Sequence, residues 1–466
     1  MVRIGRTGRA AATYITLAGL QRSVSLLILP FVTHVMSPEQ YGAASMLAAA
    51  SVVVTTVVAA PLIQLVVRAA ARGGDDGPAL LYATGVYCYF VVPTAVAVVA
   101  VAVAFVPEVL GVAGFIWAIE LLAIGFQPAT FTFAMWVARA REDLRRFVWL
   151  SSTSVLLTAV SKLVFVVVLQ LGVVGWAISD LLSAALSAAL AVALVRLPRT
   201  RPTSTHIRYA VRFTLPLIPH SAALWALSSL SRPAMAAVSS LEQVGLLAFG
   251  LNLALIAGLV VSECNAAVLP HYARETFPAP TRETMGVVRW QLIGALVVPA
   301  LVACGVAVTG KWIFPEAYWP AFYLAGVLLV GQAAFGLYFI PMNYLTQAAG
   351  LPRYSVLASG AGAALILISV LIFGQRYGAA GVAYATTAGY LTMSAMALVL
   401  TRTHKLVIQW SSWRGLWPGI LFAVAALTSS VVALASPVHS PLAWTSCGVS
   451  LVLIAAATQF ARWAVV

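Results

Sequence analysis

Long apolar runs, cut at near-regular intervals by short clusters of Pro, Gly and charged residues, set the pattern of this chain. About 20 apolar residues suffice to cross a bilayer as a helix. Such runs read at roughly 12–35, 43–68, 80–106, 113–138, 147–171 and 173–195, then 209–237, 243–270, 286–309, 320–349, 354–374 and 378–401, then 415–435 and 441–463. The pattern predicts an all-α polytopic membrane protein of about fourteen transmembrane helices.

Two short stretches divide these runs into halves. Ser37-Pro38-Glu39-Gln40-Tyr41-Gly42 is echoed by Ser240-Leu241-Glu242-Gln243-Val244-Gly245, an offset of 203 residues. Gly172-Val173-Val174-Gly175-Trp176-Ala177 is echoed by Gly378-Ala379-Ala380-Gly381-Val382-Ala383, an offset of 206. Two echoes in nearly constant register predict an internal duplication, and duplicated membrane halves enclose a substrate path between them. The expected units are an N-terminal lobe (1–203, helices 1–6), a C-terminal lobe (204–405, helices 7–12) and a C-terminal helix pair (406–466, helices 13–14).

Composition agrees with the hydropathy pattern: 62% of residues are hydrophobic and 9% charged, with a mean hydropathy of +0.98. The net charge of +14 would suggest nucleic acid in a soluble protein, but in a membrane protein it marks the cytoplasmic loops. With the N-terminus inside, the loop cations fall there from Arg3, Arg6 and Arg9 through Arg68, Arg139, Arg196, Arg212, Arg274, Arg282, Arg289 and Arg353 to Arg402, Arg414 and Arg462. Only Lys311 and Arg376 fall outside. Both termini are therefore expected in the cytoplasm, with six helices per lobe entering from the same side as parallel repeats. The first run is read as an uncleaved helix rather than a signal peptide, since no cleavage site follows it. Cys88, Cys264, Cys304 and Cys447 lie singly in apolar runs and read as packing residues, not as a disulfide framework or metal site.

Charges inside the spans are the candidates for function, because a charge at the bilayer centre costs about 2.5–3.5 kcal/mol on insertion scales and so faces a wet cavity or a partner. The cations are Arg22, Lys162 and Arg232; the acids are Glu120, Asp180 and Glu263. Arg22, beside Gln21, reads as an anion-binding residue or as the partner of Glu120 or Asp180. Arg232 follows Trp225 and Ser229 at i−7 and i−3, which on a continuous helix puts a ring, a hydroxyl and a guanidinium on one face; the alternative is that Arg232 snorkels to the outer surface. Lys162 reads either as a binding residue or as the partner of Asp180. Asn252 and Glu263 lie eleven residues apart, nearly three turns, and so do Gln332 and Asn343, with Pro341 able to kink that helix. His34 and His220 read as satisfied core or interface histidines. The sequence carries no Walker A glycine run, serine elbow or metal-ligand spacing.

The stretch from Leu29-Pro30-Phe31-Val32-Thr33-His34 through Tyr41-Gly42 resembles the first-helix signature of Wzx-like oligosaccharide flippases of the multidrug/oligosaccharidyl-lipid/polysaccharide (MOP) superfamily. Phe213-Thr214-Leu215-Pro216-Leu217-Ile218-Pro219, the Trp225 to Arg232 segment and Val244-Gly245 are similar to that family's seventh and eighth helices. The resemblance spans helices 1–12, with the final pair typical of longer members. It implies two lobes in a V and alternating access. It also implies transfer of an undecaprenyl-diphosphate-linked oligosaccharide across the bacterial cytoplasmic membrane for cell-surface polysaccharide synthesis, without enzymatic catalysis. Arg22 and Arg232 stand where diphosphate contacts are expected, supported by Gln21, Trp225, Ser229, Asn252 and Lys162; Glu120, Asp180 and Glu263 are the candidates for coupling to a proton or sodium gradient. Partners so implied are the lipid-linked glycan, membrane lipids, glycosyltransferases and a polysaccharide polymerase, with no nucleic acid, metal or other cofactor. Three alternatives stay open: a multidrug antiporter of the same superfamily, for which an acid rather than Arg22 is expected in the first helix; a membrane glycosyltransferase, although the outer acids Glu39, Glu108, Glu242 and Glu316 are isolated; and a scaffold of glycan assembly.

Overall fold

The computed structural model describes residue 24 and residues 26–53, 55–56, 60–71, 76–272, 281–408, 413–437 and 440–463. The chain divides into two compact units, Met1–Trp225 and Ala226–Val466. Among the described residues, ten helices are long and apolar enough to cross a membrane.

In the first unit the chain runs through α1 (Leu26–Val35), α2 (Pro38–Val53), α3 (Ala60–Ala71), α4 (Asp76–Ala104), α5 (Gly114–Ala140), α6 (Leu144–Val168), α7 (Gly172–Leu194) and α8 (Ser204–Thr214), and the unit ends within α9 (Ile218–Ser229). A two-residue antiparallel ribbon, β1 (Glu108–Val109) with β2 (Val112–Ala113), closes the turn from α4 to α5. The second unit holds α10 (Ser231–Ala236), α11 (Leu241–Tyr272), α12 (Arg282–Ile313), α13 (Pro320–Ala348), α14 (Arg353–Thr403), α15 (Trp413–Ala435) and α16 (Pro441–Trp463). Gly378, at φ 55° and ψ −140°, breaks α14 into two arms. Large apolar side chains such as Val98, Val101, Leu156, Val168, Ile372 and Val452 stay exposed, as expected where the surrounding medium is hydrocarbon.

The seventh predicted span departs from expectation. The run 209–237 was read as one helix, but the backbone passes through α8, a 3-10 turn at Leu215–Leu217, α9 and α10. Pro216, Pro219 and Pro233 account for this: each removes a backbone donor and crowds the preceding turn. Trp225, Ser229 and Arg232 are therefore spread over two helical segments rather than along one continuous helix.

The two echoes prove to be two halves of one device, present in each unit. Ser37 precedes α2 and its hydroxyl accepts from the Gln40 amide at 3.2 Å, while Gln40 Oε1 accepts from the Ser37 amide at 3.3 Å. This is a reciprocal capping box, which satisfies donors that a helix start otherwise leaves unpaired. In the second unit the Gln243 amide donates to Ser240 Oγ at 3.4 Å. Each glutamine also reaches the glycine of the partner echo: a Cβ on Gly172 would stand 3.3 Å from Gln40 Nε2, and Gln243 Oε1 accepts the Ala379 N–H at 3.0 Å. Gly172 and Gly378 both sit at φ 55°, in the left-handed region that glycine alone enters without strain. The repeated motif thus packs Gln40 of α2 against the start of α7, and bonds the start of α11 to the second arm of α14.

Helix contacts in the second unit are sewn by hydroxyls. Thr387, Ser394 and Thr401, seven residues apart on α14, donate to the carbonyls of Val327, Ala334 and Pro341 on α13, at 2.8, 2.5 and 3.4 Å. Ser429 and Ser450 tie α15 and α16 by donating to Ser446 O and Ala426 O at 2.8 and 2.9 Å. Helices in lipid gain little from hydrophobic contact with one another, so small residues and such bonds hold them together.

The clasp carries a measurable share of stability. Gly378→Ala forces a side chain into left-handed backbone against Gln243, and Gln243→Ala leaves the Ala379 N–H without its acceptor. Each is expected to cost about 1–3 kcal/mol, read as a lowered thermal midpoint in detergent; an unchanged midpoint for both would show the clasp to be dispensable.

Candidate functional site

Each unit contains a polar centre inside its helices. In the first, α5, α6 and α7 bring together Glu120, Lys162 and Asp180. Lys162 Nζ lies 2.9 Å from both Asp180 carboxylate oxygens and 3.4 Å from the centroid of the Trp176 ring. The ammonium thus has a carboxylate and an aromatic face, the two kinds of partner that hold a cation away from water. Glu120 is fully buried, and both its carboxyl oxygens lack a hydrogen-bond partner among the described residues. It is within electrostatic reach of Asp180 and Lys162. One cation therefore serves two acids, with the nearer acid already paired. Lys162 closes the regular part of α6, and the next residues, Leu163–Val168, form a π-helical turn; such turns recur at functional sites because they re-aim side chains.

The second centre is made of amides. Asn265 Oδ1 on α11 accepts from Gln291 Nε2 on α12 at 2.9 Å and from Asn343 Nδ2 on α13 at 2.8 Å. Tyr272 donates its hydroxyl to Gln291 Oε1. Among the described residues the Asn265 amide nitrogen donates to nothing, and Asn265 and Gln291 line a cavity of about 240 Å³ walled by Trp290, Phe339, Val298 and Cys264. Aromatic faces beside unspent amide donors can hold a ligand rich in hydroxyls. Asn343 also directly precedes a π-helical turn, Tyr344–Ala348.

Arg289 corrects the sequence reading, which put it in a loop. It lies two turns inside α12, is 2% exposed, and its Nε and Nη1 have no hydrogen-bond partner among the described residues. One turn further along the same face, Ile293 packs against Gly419 of α15, beside Phe460 of α16. That face of α12 therefore looks toward the C-terminal pair.

The other predicted residues are distributed as follows. Arg22 and Gln21 lie outside the described residues. Arg232 is 8% exposed on α10; Ser229 is buried and Trp225 half-buried. Asn252 is half-buried and Glu263 exposed on the unbroken α11. Gln332 and Asn343 are both buried on α13. The structure unites Lys162, Asp180 and Glu120. Asn265, Gln291, Tyr272 and Arg289 were not singled out from sequence.

Comparison with solved structures identifies the architecture. The chain is similar to the lipid II flippase MurJ in an inward closed conformation, with a TM-score of 0.70 at 13% identity over 97% of each chain. It is also similar to an inward-facing multidrug resistance MATE transporter of the MOP superfamily, TM-score 0.58 at 14% identity over 82% of this chain and 94% of that one. A eukaryotic MATE transporter matches with a TM-score of 0.56 at 14% identity over 85% and 96%. The fold is thus the one shared by MOP-superfamily transporters and flippases. No family profile and no curated protein matches the chain by sequence.

Two substitutions test the energetics of the centres. Lys162→Met leaves the buried Glu120 and the half-buried Asp180 without a cation and is expected to cost about 3–5 kcal/mol, whereas Lys162→Met with Asp180→Leu recovers most of that; equal losses in single and double variants would deny the coupling. Arg289→Met removes a buried charge whose Nε and Nη1 have no hydrogen-bond partner among the described residues and is expected to raise the unfolding midpoint by the equivalent of about 1–3 kcal/mol, read by thermal unfolding in detergent.

Proposed function

We propose that this chain is a flippase that carries a lipid-linked oligosaccharide on an undecaprenyl diphosphate across the bacterial cytoplasmic membrane by alternating access, for cell-surface polysaccharide synthesis. The observation that carries the reading is the likeness to a lipid II flippase over 97% of both chains; the MATE likenesses leave a larger part of this chain uncovered. The chemistry of the second unit supports it. Arg232 and Arg289 are permanent cations of the type that binds phosphate through paired N–H donors, and the cavity beside Asn265 and Trp290 has the composition of a sugar contact. Arg22, Gln21, Trp225, Ser229, Asn252 and Lys162 complete the proposed set of substrate contacts.

In the same proposal the Glu120–Lys162–Asp180 centre couples transport to an ion gradient, with Glu120 as the group that exchanges a proton. A site whose occupancy alternates biases one conformation over the other only if it binds differently in each. A drug or cation antiporter is the second reading, and the buried Glu120 and half-buried Asp180 of the first unit favour it.

Leaflet accessibility of a fluorescent lipid-diphosphate oligosaccharide in proteoliposomes tests both. The intact protein is expected to expose the glycan. Arg232→Gln is expected to slow this about ten- to a hundredfold, the loss of one charge-assisted contact. Glu120→Gln is expected to abolish acceleration by a proton gradient while leaving gradient-free exchange. If the intact protein moves no lipid-linked glycan yet extrudes organic cations, the antiporter reading replaces this one.

A further inference from the structure

α8 contributes to neither polar centre and borders a cleft of its own. Its apolar face, Ile207, Ala210, Val211 and Thr214, lies opposite Pro61 and Leu65 of α3 and Tyr82 and Val86 of α4 across a cavity of about 510 Å³. That is within the range of about 300–1,000 Å³ typical of sites for single small ligands. The walls are nearly all hydrocarbon, and the threonine hydroxyls among them are spent on backbone: Thr84 donates to Leu80 O at 2.8 Å and Thr214 to Ala210 O at 2.9 Å. The cleft does not close by collapse because α8 is pinned on its flanks. His206 Nε2 meets Asp76 Oδ1 at 3.1 Å, and the Arg68 guanidinium lies 5.9 Å from the Tyr209 ring centroid and 5.3 Å from that of Phe213.

The margin of this cleft is cationic. Arg208 and Arg212, one turn apart on α8, are exposed, as is Arg68 on the other flank. A helix with one apolar face and arginines beside it lies in the plane of a membrane interface, its charges among headgroups. Arg208 and Arg212 share one face of α8, and Arg68 approaches the same helix from α3, against Tyr209 and Phe213. Exposed arginines beside an apolar face suit the anionic headgroup region of a leaflet.

We infer that the α3–α4–α8 cleft is a binding site for an anionic membrane phospholipid, with an acyl chain between the helices and its headgroup among Arg68, Arg208 and Arg212. The inference is independent of the transport reading. The site is a structural lipid seat on the segment that leads from the first unit into the second.

Phosphatidylglycerol bearing a photoreactive diazirine on one acyl chain, reconstituted with the full chain in phosphatidylcholine vesicles, tests it. Crosslinks are expected to concentrate on peptides containing Tyr82 to Val91 and Ile207 to Thr214. Unlabelled phosphatidylglycerol is expected to compete well and phosphatidylcholine poorly. Arg208→Gln with Arg212→Gln changes exposed residues only and is expected to weaken competition by phosphatidylglycerol about fivefold per arginine while chain labelling at high lipid persists. Ala210→Trp is expected to abolish labelling in the cleft with an unchanged elution profile. Labelling spread evenly over the apolar surface, equal competition by both phospholipids, or displacement by undecaprenyl diphosphate but not by phosphatidylglycerol would each overturn the inference.

Discussion

A polar group inside a bilayer has no water to turn to, and nearly every feature of this chain answers that constraint. Backbone amides are satisfied within helices because no other open structure can satisfy them in hydrocarbon. Where helices begin, the Ser37–Gln40 and Ser240–Gln243 caps take up donors that the first turn leaves orphaned. Where α14 must bend, Gly378 bends it and Gln243 accepts the freed Ala379 N–H. The conserved-looking repeat inside the chain is therefore intelligible as chemistry: a serine to cap, a glutamine that caps and reaches, and a glycine to receive it.

The duplication preserved these clasps while the interiors diverged. At the offset of 206, Asp180 corresponds to Thr386 and Trp176 to Val382, so the second unit has neither the acid nor the ring that holds Lys162. Thr386 spends its hydroxyl on Val382 O within its own helix. Conversely, Asn265 corresponds at the offset of 203 to Leu62, which packs beside the apolar core of the first unit. One unit keeps a charged centre and the other a neutral amide centre, each next to a π-helical turn. A pair of units with the same frame and unlike interiors can divide two tasks between them.

The architecture was legible because hydropathy over about 20 residues reports helices directly, and the charged centre because Glu120, Lys162 and Asp180 interrupt apolar runs where charge is costly. The amide centre was not. Asn265 and Gln291 weigh little in a hydropathy scan, and spacing along one helix cannot show that three helices bring Asn265, Gln291 and Asn343 to one point. Arg289 was lost for another reason: it falls in the first turn of the run read from hydropathy at 286–309, beside the charged stretch Arg282–Glu283, whereas α12 starts four residues earlier, at Arg282, and carries Arg289 two turns into the helix. The broken seventh span shows the same limit. Its prolines were visible, but a length rule does not weigh them.

The choice of cation separates what each centre can do. Lysine occurs at Lys162, Lys311 and Lys405, and every other fixed cation is arginine. An ammonium is a compact charge that can lose its proton when its surroundings change, whereas a guanidinium stays charged in any protein environment. The centre that holds Lys162 also holds two carboxyl groups, so all three of its members can change charge, and a proton taken up by one alters the balance felt by the others. Arg232 and Arg289, buried in the second unit, carry a positive charge that stays fixed. A transporter of an anionic lipid needs both properties, a fixed positive contact for its cargo and a variable charge for its driving ion. On the proposed function, a buried lysine in the first unit and buried arginines in the second are the division that such a cycle requires.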